Sequence, residues 1–120
     1  MSERSAILYL ADIAEALKKI ETYTGNLSFE QFAANQQVID AVVRNFEIIG
    51  EAARHVASDT ALGQSGVPWD KMIAMRNKVV HEYFGVDEEI VWKTIHEDLP
   101  ELQKQIAEIL GNETSRQENK

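Results

Sequence analysis

The sequence contains no cysteine and few of the residues that interrupt helices. The absence of Cys excludes disulfides, thiolate metal sites and a cysteine nucleophile, and it favours a cytosolic location. Only 6 Gly and 2 Pro occur among 120 residues, which is typical of long helices and not of many short strands. The Glu-x-x-His spacing of di-iron bundles is also missing, because Lys78, Ala52 and Lys93 stand three residues before the three histidines.

Basic residues and long apolar runs are scarce as well. The 12 Lys and Arg residues against 20 Asp and Glu give a net charge of -8, which argues against a broad basic surface for nucleic acid, DNA included. That charge is compatible with an enzyme that holds one phosphodiester with a few arginines, or with a protein that binds a basic partner. No run approaches ~18 apolar residues and the N-terminus lacks a signal-peptide core, so we expect no membrane span and a cytoplasmic protein.

The apolar residues that are present, together 44% hydrophobic, recur with the spacing of amphipathic helices. A capping box at Ser28 and Gln31 predicts an additional short helix. The predicted long helices cover residues 5–23, 35–58, about 68–84, and the chain from Asp87 onward. The sequence predicts a loop over residues 59–67.

Two residues predict where the last helical region changes. Pro100 predicts a kink, or a break with Asp98 restarting the helix, and Gly111 predicts its end. The fold expected is all-α: an antiparallel up-and-down four-helix bundle with an extra short helix. We predict one domain over residues 1–111 and a flexible C-terminal tail over residues 112–120.

The segment R-N-K-V-V-H-E-Y, from Arg76 to Tyr83, is the richest in chemically useful side chains. Histidine exchanges protons near neutral pH, and arginine offers a planar fork of donors to phosphate oxygens. On a helix, Asn77 and His81 lie one turn apart on one face, so Asn77 is placed to orient the imidazole. Arg76 lies five residues from His81, roughly 140° around the axis, which is compatible with a site shared between two copies of the helix.

Plainer interpretations stay open at these positions. A histidine or tyrosine on a helix is more often a half-buried packing residue, and an arginine is more often a solvated charge. Glu51 either pairs with Arg76 and holds it in place or belongs to a solvated acidic face. His55 and His96 read as surface or packing residues, and Trp69 and Trp92 as core or interface residues.

Three blocks of the sequence resemble one known family. The stretch M-R-N-K-V-V-H-E-Y-F-G-V-D is similar to the signature of HepT-like proteins of the HEPN superfamily, Arg-x4-His-x-Tyr, with Arg76, His81 and Tyr83 at the three positions. R-N-F-E-I-I-G-E-A-A (44–53) and V-P-W-D-K-M-I-A-M-R (67–76) resemble the segments that precede that signature. The likeness covers the whole chain in order and length.

The resemblance implies an all-helical, HEPN-like homodimer that acts as a metal-independent endoribonuclease and needs no cofactor. It implies that Arg76 and His81 are catalytic, with Asn77 at the polar position after the arginine. It also implies a type VII-like toxin whose partner is a minimal nucleotidyltransferase antitoxin. In such pairs AMP is transferred to the motif tyrosine, here Tyr83, and the nuclease is silenced.

A binding module is the rival class of function. The chain would then be a non-catalytic helical partner that regulates or positions a nucleotidyltransferase. The net charge of -8 supports this alternative. Toxicity of the chain alone would fit only the nuclease.

Overall fold

A computed structural model of the chain describes residues 5–59, 67–80 and 87–118, with side chains described at 5–59, 67–79 and 87–111. These residues form six helices and no strand, which confirms the all-helical prediction. They are α1 (Ala6–Thr24), α2 (Phe29–Ala33), α3 (Gln36–Ala57), α4 (Trp69–Val80), α5 (Glu88–Glu97) and α6 (Leu99–Glu118). None of these helices is long and apolar enough to cross a bilayer.

Side-chain caps fix where the helices begin. Ser28 accepts a hydrogen bond from the backbone N–H of Gln31, whose side chain in turn accepts from the backbone N–H of Ser28, so the predicted capping box is confirmed. The Asp87 carboxylate accepts from the backbone N–H groups of Glu89 and Ile90, as its position before an acidic first turn predicts. Each cap satisfies backbone donors that have no partner within the helix.

α3 occupies the centre of the fold and packs against both α1 and α4, while α6 returns to pack against α1. The periodic apolar residues of α3 are mostly buried, as their helical spacing predicts. Fully buried side chains from all six helices form this core: Leu10, Ile13, Ile20, Phe32, Val42, Phe46, Ile49, Met72, Val91 and Ile106. The site-bearing helix α4 is therefore held against a close-packed core.

The last helical region breaks where Pro100 predicts. α5 ends at Glu97, Asp98 follows as its C-cap, and α6 begins at Leu99 with Pro100 in its first turn. The predicted helix end at Gly111 is wrong, because α6 continues to Glu118. Gly111 adopts no left-handed φ, so it lacks the conformation in which glycine commonly ends a helix. The domain boundary at residue 111 stays a prediction.

Two further expectations fall on residues outside the described part of the chain. Asp59 and Val67 are the first and last residues of the predicted loop, and residues 60–66 between them are not described. The helix expected to reach Phe84 is described as far as Val80.

Candidate active site

α4 carries the first residue of the predicted catalytic motif. Its buried residues Trp69, Met72, Met75 and Val79 recur at three- and four-residue spacings and fix the rotation of the helix on the core. Trp69 is 3% exposed, which settles it as a core residue. With that face buried, Arg76 lies half-buried at the edge of the contact between α4 and α3.

The aliphatic part of Arg76 lies directly on Gly50 of α3. A Cβ atom added to Gly50 would stand 2.5 Å from Cγ, 2.7 Å from Cβ and 2.9 Å from Cδ of Arg76. Packed Cβ atoms do not approach other heavy atoms so closely. Gly50 therefore permits a separation between α3 and α4 at this point that no other residue type permits.

The guanidinium of Arg76 contacts the neighbouring amide. Arg76 Nη1 donates to Asn77 Oδ1 at 2.8 Å, and Asn77 itself is exposed. Arg76 Nε is buried and finds no acceptor among the described groups. The role of Asn77 in orienting His81 stays a prediction, because His81 lies outside the described residues. In the described part of the molecule, the Asn77 oxygen accepts a hydrogen bond from the arginine.

His81 and Tyr83 follow α4 and lie outside the described residues. Their predicted roles therefore stay predictions. What the fold does fix is the direction of Arg76, which points towards α3. Its partner in any reaction has to reach the guanidinium at that edge.

Glu51 pairs with residues of its own helix and not with Arg76. Glu51 Oε2 is 3.3 Å from Arg54 Nη1, and Glu51 Oε1 is 3.4 Å from His55 Nε2. The His55 ring stacks on Tyr9 of α1, with ring centres 4.2 Å apart and planes 5° from parallel. Of the two interpretations left open for Glu51, the geometry favours the exposed charged face.

The other ring-bearing residues pack as ordinary surface groups. His96 is exposed, and its Nδ1 lies 2.8 Å from the backbone oxygen of Trp92. Trp92 is half-buried among Phe29, Phe32 and His96, so both residues take the packing roles expected of them. Among the side chains described, no three His, Asp or Glu residues form a group that could hold a metal ion.

Comparison with known proteins decides the family. A model of the ribonuclease HepT-like family matches residues 13–109, most of the chain and every helix that contributes to the core. The chain belongs to the HepT-like ribonuclease family. The recognition made from the three sequence blocks is confirmed, and with it the assignment to a class of ribonucleases.

Three relatives of this HepT-like protein align over at least 91% of their own length. One, named "Probable ribonuclease HepT", from Thermococcus cleftensis, is 44% identical over 100 residues, covering 83% of this chain and 91% of the relative. Two proteins named "Putative RNase" are also similar. That of Caldanaerobacter subterraneus subsp. tengcongensis is 40% identical over 105 residues, 88% of this chain and 94% of its own. The other, from Methanocaldococcus jannaschii, is 36% identical over 106 residues, which cover 88% of this chain and 97% of the relative. No solved structure matches the chain significantly.

Sequence reasoning missed Gly50 as part of this site. The signal was present: a glycine stands in the interior of a 22-residue helix whose other small residues are alanines. Glycine costs about 0.5–1 kcal/mol relative to alanine in a helix interior. A glycine kept at that cost indicates a close approach by another element, but the sequence of α3 alone does not name that element.

Proposed function

We propose that this HepT-like protein is a metal-independent endoribonuclease in which Arg76 and His81 act on the RNA phosphodiester. One observation carries the proposal beyond family membership. Among the described arginines, Arg44 and Arg54 lie 4.0 Å and 3.3 Å from carboxylate oxygens of Glu47 and Glu51. Within the described part of the chain, the guanidinium of Arg76 bonds to the neutral amide of Asn77 and to no carboxylate, so its positive charge is available to a phosphate.

The proposed reaction is an internal transesterification. The RNA 2′-oxygen attacks the adjacent phosphorus as His81 accepts its proton, and the bond from phosphorus to the 5′-oxygen breaks. That leaving oxygen takes up a proton, so the products are a 2′,3′-cyclic phosphate and a 5′-hydroxyl. Arg76 stabilises the negative charge that collects on the non-bridging oxygens.

The working unit in this proposal is a homodimer with two motif helices near the two-fold axis. Arg76 is directed towards α3, and on an ideal helix His81 is roughly 140° away around the axis. A two-fold interface brings the same patch of both subunits together, so Arg76 of one can act with His81 of the other. A strictly monomeric protein in light scattering at micromolar concentration would contradict the shared site.

Regulation by a nucleotidyltransferase antitoxin completes the proposal. AMP on Tyr83, two residues from His81, would place bulk and negative charge where the RNA phosphate has to bind. The chain would then be the toxin of a toxin–antitoxin pair. Asn77 contributes by holding Nη1 of Arg76.

The direct test is cleavage of total RNA by purified protein, with Arg76→Ala as the matched inactive variant. We expect cleavage by the wild type, none above background by the variant, and no inhibition by EDTA. Inhibition by EDTA would overturn the metal-free mechanism. An inactive wild type that still binds a nucleotidyltransferase would favour the non-catalytic partner, which the net charge of -8 supports.

A further inference from the structure

We infer that Gly50 is a positioning residue for Arg76. The bare backbone of α3 at Gly50 accepts the aliphatic stem of Arg76, and this contact determines where the guanidinium lies. The consequence for catalysis rests on the proposed function, whereas the contact itself does not. Gly50 touches no substrate in this scheme and acts only through Arg76.

Rotation of the Arg76 side chain cannot make room for a methyl group at position 50. Turning about the Cα–Cβ bond moves Cγ and Cδ, which would lie 2.5 Å and 2.9 Å from the added atom. It leaves Cβ in place, and that atom would still lie at 2.7 Å. Because Cβ is attached to the backbone of α4, a side chain at position 50 has to displace the helix itself.

α4 has little freedom to move away from α3. Met72 and Val79, on either side of Arg76 along the helix, are 0% and 1% exposed. Ile49 and Ala53, beside Gly50 on α3, are both completely buried. Close-packed interiors transmit a displacement and do not absorb it, so a methyl group at position 50 shifts Arg76 relative to the core.

The two ends of the arginine side chain are held by different residues. Gly50 fixes the stem, and the 2.8 Å hydrogen bond to Asn77 fixes Nη1. Nε is buried between them without a described acceptor. A guanidinium held at both ends is preorganised, and a displacement of about 1 Å in such a group costs on the order of 100-fold in rate.

A double-mutant cycle on stability tests the contact without any RNA. We would measure melting temperatures of the wild type, Gly50→Ala, Arg76→Gly and the double variant. Gly50→Ala should lower the melting temperature of the wild type and raise that of Arg76→Gly, where the three atoms nearest the added Cβ are absent and the better helix propensity of alanine acts. A Gly50→Ala chain that fails to fold while the double variant folds gives the same support. Equal effects in both backgrounds would overturn the inference.

Cleavage kinetics test the consequence for Arg76. Gly50→Ala should lower kcat on an RNA oligonucleotide by at least about tenfold while KM changes by less than about threefold, because the group that acts on the transition state is displaced. Gly111→Ala is the matched control, since an added Cβ there meets nothing within 4 Å, and its kcat should equal that of the wild type.

The two kinds of failure are distinguishable. A folded Gly50→Ala with the wild-type kcat would overturn the positioning role. A wild type that cleaves no RNA would overturn the proposed function, and the stability cycle would still decide whether Gly50 fixes the stem of Arg76.

Discussion

An arginine lies on each of two sides of α3, and the two differ in what surrounds them. On the exposed side, Arg54 pairs with Glu51, which also pairs with His55. On the side that faces α4, the stem of Arg76 lies on Gly50 and, among the described residues, its guanidinium bonds to the amide of Asn77. The exposed charges neutralise one another, whereas the half-buried charge of Arg76 is kept without a described counter-ion.

The ion pair of Arg54 and the surroundings of Arg76 contribute differently to stability and to ligand binding. An exposed ion pair such as Arg54–Glu51 contributes about 0–1 kcal/mol to stability. A half-buried arginine whose buried Nε has no acceptor among the described groups loses some hydration without regaining a hydrogen bond there. Such an arrangement contributes little to stability, and an unsatisfied buried group of this kind calls for an explanation such as a bound ligand.

The largest effect expected is at the motif histidine. His81→Ala should lower the RNA cleavage rate by about 10²–10⁴-fold, because proton transfer to and from the reacting oxygens is lost. His55→Ala is the matched control, since His55 lies on the exposed side of α3 with Glu51 and Tyr9. Initial rates on a defined RNA report the outcome. Equal losses in both variants would remove the distinction between the two histidines.

Replacing the two arginines tests the comparison directly. Arg76→Ala should lower kcat by about 10²–10³-fold, the range for removing one group that stabilises transition-state charge. Its free energy of unfolding should change by less than about 1 kcal/mol, because the side chain is only half-buried. Arg54→Ala should leave kcat within about twofold of the wild type. An active Arg76→Ala with an unchanged melting temperature would refute the catalytic role of Arg76.

We expect AMP to be transferred to Tyr83 and not to Tyr9 or Tyr23, the two tyrosines of α1. Co-expression with a cognate nucleotidyltransferase should add adenylate to the peptide that contains Tyr83, read by mass spectrometry. Tyr83→Phe keeps the ring but lacks the acceptor hydroxyl, so it should remain toxic when the partner is present. Adenylate found only on Tyr9 or Tyr23 would remove this regulation and leave the nuclease proposal standing.

The smallest effect expected is at Glu51. Glu51→Gln should change the free energy of unfolding by less than about 1 kcal/mol and should leave kcat unchanged, because its partners Arg54 and His55 are exposed. Chemical denaturation and initial rates measure both quantities. A tenfold loss of kcat would show that Glu51 supports the site, which was the other interpretation of its position.

Most of the fold follows from periodicity and capping, both of which are local. The Ser28 capping box, the Asp87 cap and the break before Pro100 each depend on residues within one turn of one another. Gly111 was misjudged because a helix end at glycine commonly depends on a left-handed φ, which Gly111 does not adopt.

The candidate site was predictable in its residue types but not in its contacts. Arg76 stands out because its motif matches a family signature, and its burial follows from the buried residues of α4. Its contact with Gly50 depends on how α3 and α4 are aligned along each other, and neither helix encodes that alignment alone. The pairing of Glu51 with its own helix was equally open, since several partners lay within reach of a long side chain.

Because α6 packs against α1, the order in which the helices are translated affects which apolar surface is exposed during synthesis. Leu102 and Ile106 of α6 are buried, and α6 packs against α1, which is translated long before it. In a nascent chain, the part of α1 that α6 covers therefore stays exposed until α6 has left the ribosome. That part of the core is completed only then, whereas the residues of α3 that pack on α1 are translated earlier.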